Sequence, residues 1–241
     1  MELPGPHWLR GSDVGRDAFG RSEDANRRRT RPADAHGDAQ RKTEIGAMIE
    51  QVDLPDMASG QWRVEKYTTD SFGCLAYAVH GRGMPAGKTY TRLMRGGTVV
   101  MSDTPAEMRD HYYAVHKATG SCLLNGLGIG MVLKAILSKQ DVTDVTVVEL
   151  SEEVLQMVAP HYSDPRVTFV HASAFTYQPP KWKRYQMVWH DIWDNICADN
   201  LPEMHRLHRR YGRRSDWQGS WARGECERAE REWKRQQRWY E

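Results

Sequence analysis

Three glycines at alternate positions, Gly126, Gly128 and Gly130, interrupt the apolar stretch that runs from Cys122 to Leu137. Glycine belongs where a turn needs backbone conformations that a Cβ forbids, or where the backbone must approach a ligand closely. A helix after such a turn offers unpaired N–H groups to a polar or anionic ligand. Two carboxylates extend the pattern. Glu149 closes the next apolar run, about twenty residues on, where nucleotide-binding sheets hold ribose hydroxyls. Asp191 closes a later run, on the sheet edge where open α/β folds bind ligands. A dinucleotide fingerprint would need a third glycine where Met131 stands, so the loop suits a nucleoside with a smaller charged tail better than a pyrophosphate.

These residues need a scaffold, and the chain alternates strand and helix around them. Cys122–Leu124, Val145–Val148, Val167–Val170 and Tyr185–Trp189 read as strands, and Met131–Leu137 and a segment opened by Ser151-Glu152-Glu153 read as helices. Strands separated by helices imply βαβ units and a parallel sheet. Upstream, Gln61–Tyr67 alternates, and Thr89–Met94 and Thr98–Met101 flank Arg95-Gly96-Gly97, a hairpin signal. Between them and the parallel sheet, Thr104-Pro105-Ala106-Glu107 has the form of a capping box and Gly120 that of a helix stop; Met108, Tyr112, Val115 and His116 share one face. Leu201–Tyr211 and Ala222–Trp239 read as charged helices, with Asp199 or Asn200 as cap of the first, and no apolar strand is legible after Asp194. The expected organisation is a disordered tail over 1–47, a small antiparallel β-domain over 48–103, a Rossmann-like α/β domain over 104–200 and charged helices over 201–241. Met48 stands where the globular pattern begins.

Composition bounds the partners. The 241 residues are 39% hydrophobic and 27% charged, with 34 basic against 32 acidic side chains. That balance excludes a polycationic coat or an acidic tail over the whole length. No run approaches the roughly 18 apolar residues that span a bilayer. Cys74, Cys122, Cys197 and Cys226 lack metal-ligand spacing and read as reduced thiols, so no metal is expected and a cytoplasmic location is.

Leu124-Asn125-Gly126-Leu127-Gly128-Ile129-Gly130, Val148-Glu149-Leu150, His171-Ala172-Ser173-Ala174-Phe175 and Trp189-His190-Asp191 resemble the successive motifs of class I S-adenosylmethionine-dependent methyltransferases. The arrangement is most similar to the spermidine synthase branch, which places a small β-sheet domain before the nucleotide fold. The resemblance spans about 61–194. It implies S-adenosylmethionine as cofactor, with Asn125, Gly126, Gly128 and Gly130 along its methionine and ribose, Glu149 on both ribose hydroxyls, Leu150 on the adenine, and Ser173 and Ala174 at the adenine edge. It implies Asp191 as the acid that deprotonates an attacking amine and Asp194 as a second acid holding the amine chain. Many members carry Asp where Ser173 stands. Aminopropyltransferases carry Asp where Ile129 stands, and also a Gln and a Tyr-His pair that Val99–Met101 and Met108–Asp110 do not match. The resemblance therefore implies methyl transfer from intact S-adenosylmethionine before aminopropyl transfer, and a binding protein without catalysis is the third reading. A complete domain of this class continues with three further strands, so the sheet is expected to be shortened after the fourth strand unless Trp217–Trp221 and the charged helix replace them.

Each remaining candidate has two readings. Asp191 is a proton acceptor or a helix cap, and His190 is a competing base or a satisfied strand-end side chain. Trp189 and Trp193 form a cation–π cage for an acceptor or a pocket wall. The basic run over 205–214, with Trp217 and Trp221 beyond it, contacts nucleic acid or is the solvated face of a helix whose Met204, Leu207 and Tyr211 point inward. Ion pairing of Glu227 with Arg231 and of Glu230 with Lys234 accounts for much of the terminal helix's charge. A small-molecule acceptor is the expected partner, a homodimer is allowed and no membrane partner is expected.

Overall fold

The computed structural model describes residues 49–70 and 84–237. The expected tail over 1–47, Met48, Cys74 and Trp239 lie outside these residues. The described chain is an α/β structure with two sheets.

The first sheet is an antiparallel meander in sequence order: β1 (Met57–Ser59), β2 (Trp62–Thr68), β3 (Thr89–Arg95) and β4 (Thr98–Ser102). Gly96 and Gly97 form the two-residue link between β3 and β4, and Gly96 takes φ +60°, which a side chain would resist. The register sets Val64 opposite Leu93 and Leu93 opposite Met101, so one face is buried. Asp103 fastens this sheet to the chain that precedes it. Its carboxylate accepts from the N–H groups of Val52 and Thr91 at 3.1 and 2.7 Å and is fully buried. Burial pushes this carboxyl up, and the two N–H bonds oppose that shift.

The second sheet is parallel throughout, in the order β7-β6-β5-β8-β9: β5 (Gly120–Asn125), β6 (Val142–Glu149), β7 (Val167–His171), β8 (Tyr185–His190) and β9 (Ser215–Ser220). The crossovers are α3 (Met131–Leu137), α4 (Glu152–Val158) and α5 (Leu201–Tyr211); α6 (Arg223–Gln237) follows β9. Before β5 lie α1 (Pro105–Asp110) and α2 (Tyr112–Lys117). Leu123, Ile136, Val147, Met187, Met204 and Leu207 are fully buried between sheet and helices, each contributing roughly 1.5–3 kcal/mol by leaving water. Ser151 caps α4 by accepting from the Val154 N–H at 3.2 Å.

Four sequence expectations change. The single helix expected between Thr104 and Gly120 breaks at His111, which sits at φ −90°, ψ 0° between α1 and α2. Thr104 makes no side-chain cap bond there, so the capping box is not built, and His116 is exposed rather than on the buried face. The sheet also does not stop at its fourth strand. Ser215–Ser220 pairs with β8 from Tyr185↔Ser215 to His190↔Ser220, giving five strands among the described residues. The strand escapes a hydropathy reading because Trp217 is its single large apolar residue; polar side chains, described below, hold it. No helix among the described residues is long and apolar enough to cross a membrane.

Candidate functional site

The strand order reverses between β5 and β8, and at such a switch point the loops at the carboxyl ends part to leave a crevice. Gly126 leaves β5 at φ +102°, and the Asp191 N–H donates to the Asn125 carbonyl at 2.8 Å, drawing the two strand ends together. A Cβ on Gly126 would lie 1.9 Å from the Asp191 carbonyl oxygen. Gly130, at φ +75°, is crossed by the Tyr162 ring, which a Cβ would meet at 2.3 Å. The Tyr162 hydroxyl donates to the Ile129 carbonyl at 2.7 Å, and burial pushes the phenol's pKa up. The glycines thus answer to neighbouring parts of the fold as well as to any ligand. Met101, from the antiparallel sheet, lies against Gly128.

Around this loop lies a cavity of about 370 Å³, within the size range of small-molecule sites. Gly126, Gly128, Glu149, Leu150, Ser173, Ala174, Asp191 and Asp194 all line it. Asn125 and Gly130 do not: Asn125 is fully buried and turned toward His190, and Gly130 packs under Tyr162. Ile129 is likewise fully buried and lines no part of the cavity, so it neither admits nor repels a ligand by contact.

Glu149 is held by both oxygens: Oε2 accepts from the Leu127 N–H and Oε1 from the Ser151 N–H, each at 2.8 Å. That fixes the carboxylate across the mouth of the glycine loop and leaves lone pairs for a bidentate ligand contact. Leu150, beside it, is 69% exposed, a leucine placed at the cavity edge without a covering side chain. On the other rim, the Tyr211 hydroxyl donates to the Ala174 carbonyl at 2.8 Å, so α5 anchors the turn that presents Ser173 and Ala174.

Among the described residues, the charged part of a largely apolar lining is dominated by carboxylates. Glu107, Glu149, Glu153, Asp191, Asp194 and Glu203 face it with Arg95 as the one basic residue, and Arg95 is paired with Asp194. The Asp191 side chain is only 15% exposed. Burial, with the negative charges of Glu107, Asp110 and Glu149 added, raises its carboxyl well above the ordinary value of 3.8. Nε2 of the fully buried His111 lies 3.6 Å from Asp191 Oδ2.

His190 is not a competing base. It is fully buried and outside the cavity; Asn125 Nδ2 donates to its Nδ1 at 2.8 Å, and its Nε2 faces Gln218 Oε1 at 3.4 Å. Burial and neighbouring His208 push its pKa down to about 3, so the ring is neutral at physiological pH. The tryptophan cage is not formed either. Trp189 stacks on Trp217 at 6.3 Å, away from the cavity, whereas Trp193 lines it and donates from Nε1 to Glu203 Oε2 at 2.9 Å.

The sequence assigns no site role to the lining residues Trp62, Arg95 and Glu203, and it sets Trp221 with the basic run rather than at the cavity. Glu107 carried a signal but was assigned to a cap.

No protein-family model and no curated protein matches the chain. Among solved structures it is similar to a spermidine synthase from Thermotoga maritima (16% identity, 64% of this chain and 52% of that one, TM-score 0.35). It is also similar to an S-adenosylmethionine-dependent methyltransferase from Mesorhizobium loti (14%, 44% and 48%, TM-score 0.34) and a dimethyladenosine transferase from Plasmodium falciparum (14%, 40% and 34%, TM-score 0.32). The chain spans about half the length of the first two and a third of the last.

Proposed function

We propose that this chain is an S-adenosylmethionine-dependent methyltransferase whose acceptor is an amine. The observation that carries the reading is Asp191: a mostly buried carboxyl with a raised pKa, set against the glycine loop in a cavity lined by five further carboxylates. The residues present fit the cofactor's adenosyl half. Gly126 and Gly128 bring bare backbone to the cavity wall, Glu149 is oriented for vicinal hydroxyls, exposed Leu150 offers an apolar cover, and Ser173 and Ala174 edge the far side. When bound, the cofactor supplies an electrophilic carbon on a sulfonium.

The chain's own residues then position and deprotonate. Such a displacement depends mainly on alignment, and the acceptor nitrogen must lose a proton. A carboxyl raised toward neutrality is a stronger base than an ordinary one once ionised, and a cationic amine beside it favours that ionised form. Glu107, Glu153 and Glu203 extend the negative field along the cavity and favour a cationic chain, whereas Asp194 is paired with Arg95. His111 supports the Asp191 carboxyl from behind.

The second reading, aminopropyl transfer, is favoured by a specific observation: among the described residues Arg95 is the one basic residue of the lining, it is already paired with Asp194, and no other described cation is there to receive the cofactor's carboxylate. Calorimetric titration with S-adenosylmethionine and, in parallel, its decarboxylated form separates the two. Tighter binding of the intact cofactor supports methyl transfer. Tighter binding of the decarboxylated form replaces it with aminopropyl transfer, and binding of neither at millimolar concentration removes both.

A further inference from the structure

Outside the cavity, the most exposed large apolar side chain among the described residues is Trp182, at 80%. It sits in a turn closed by the Lys183 N–H donating to the Pro180 carbonyl at 2.9 Å. One guanidinium holds that turn: Arg214 Nη1 donates to the carbonyls of Pro180, Lys181 and Lys183 at 3.0, 3.2 and 3.3 Å. The indole is therefore presented to solvent by a fixed backbone, at a standing hydrophobic cost that a partner would relieve.

The surface beside it is basic. On α5, Arg206 and Arg210 form a row, one turn apart, with Arg209 beside it; Arg213 and Arg214 lie in the turn past the helix end. The row starts at the cavity. Arg206 lies over the ring of Phe175, a cavity-lining residue, at 4.9 Å, and Arg210 Nη2 donates to the Tyr177 carbonyl at 2.5 Å. Of the acids nearby, Asp144 pairs with Lys183 and Asp216 with Arg184. Among the described residues, none of Lys181, Arg206, Arg209, Arg210, Arg213 and Arg214 has a carboxylate partner. Bonds to carbonyls fix the Arg210 and Arg214 guanidiniums without neutralising them, which lowers the ordering cost of a contact there.

We propose that this face binds single-stranded nucleic acid, with phosphates along the arginines and a base stacked on Trp182. Positive charge interleaved with a displayed aromatic is the means by which single strands are held, because every base has a stackable face once it leaves a duplex. An anionic lipid surface would use both the charge and the indole, and the vesicle arm of the test below separates it from a single strand. The carboxylates inside the cavity keep phosphate at its rim. This surface stands apart from the proposed transfer reaction, and its test needs no cofactor.

Fluorescence anisotropy with a labelled twelve-nucleotide oligothymidine, the matching RNA and a duplex of equal length, from 50 to 200 mM salt, tests it. A single strand is expected to bind more tightly than the duplex. Trp182→Ala should weaken that binding about 5- to 100-fold, with Trp182→Phe restoring most of it. Arg209→Gln with Arg213→Gln should reduce the slope of log affinity against log salt by about 1.4, near 0.7 per phosphate contact. All three positions are exposed, so unchanged melting temperatures confirm folded variants. Absence of single-strand binding at 50 mM salt overturns the proposal. So does equal binding of duplex and single strand with no effect of Trp182→Ala, and so does capture by phosphatidylserine vesicles without capture of oligonucleotide.

Discussion

On the two sides of the seam where Gly126 meets Asp191, the parallel sheet is held by different means. From β5 through β6 to β7 the strands are joined by apolar packing, with Leu123, Val145, Val147 and Val148 buried. From β8 to β9 a chain of polar side chains stands beside the Trp189–Trp217 stack. Asn125, His190, Gln218 and His208 form a chain in which Gln218 Nε2 donates to the His208 carbonyl at 2.9 Å, His208 Nε2 contacts Ser220 Oγ at 2.9 Å, and Arg223 Nη1 donates to His208 Nδ1 at 3.1 Å. The apolar side tolerates changes of shape better than loss of volume. The polar side depends on every partner being present, because an orphaned buried donor or acceptor costs more than a hydrogen bond contributes.

The largest expected effect lies at the seam. Asp191→Asn should lower turnover by about 10²–10⁴ while leaving cofactor affinity within a few-fold, read by single-turnover kinetics beside calorimetry. The same substitution should stabilise the fold at neutral pH. A carboxyl whose folded pKa is raised binds more protons folded than unfolded, so wild-type stability declines as pH rises from about 3.8 through the raised value. Melting temperatures between pH 5 and 8 should show that decline and its loss in the variant; identical profiles would remove the raised carboxyl from the argument.

On the apolar side, Leu123→Ala should cost about 2–5 kcal/mol in denaturant unfolding. At its cavity edge, Glu149→Ala should weaken cofactor binding by about 1.5–3 kcal/mol, and unchanged affinity would sink the ribose assignment. On the polar side, Gln218→Leu should cost about 1–3 kcal/mol with cofactor affinity retained; a smaller cost would show that the chain of side chains does not act as a unit. Its pH signature has the opposite sign to that of Asp191. His190 and His208 are held neutral, at about 3 and about 4, so their contribution is complete above the unfolded value near 6.5 and is lost as pH falls toward those values. His190→Gln should flatten the acid limb of the stability curve, measured by urea midpoints from pH 7 to pH 4. Least of all, removing the exposed Glu230–Lys234 pair on α6 should cost at most ~0.5 kcal/mol.

The same division decides what the amino-acid sequence discloses. Val145–Val148 and Tyr185–Trp189 read as strands because a buried parallel strand must be continuously apolar. The acids at their ends, Glu149 and Asp191, were legible for the same reason: each ends a run whose other members cannot face water. Ser215–Ser220 was not legible, since its fixing contacts come from His190 and His208, far along the chain, and leave no periodicity in its own residues. Arg95 and Glu203 were missed in the same way, because each reaches the cavity through a long-range approach that no local spacing encodes. Glu107 was misassigned because a cap motif and a cavity carboxylate look alike until the helix is seen to break at His111.

One further consequence follows from the Arg95–Asp194 ion pair and from Met101 lying over Gly128. The walls of the cavity belong to two sheets that share no strand. A molecule lodged between them touches both at once and acts as mortar. By mass action, a ligand at a hundred times its dissociation constant adds about 2.7 kcal/mol to the stability of whatever it binds in common. One continuous core already joins the two sheets, so occupancy should raise the melting temperature of both in step, and a cell poor in the ligand would hold a less stable protein that reaches the proteases sooner.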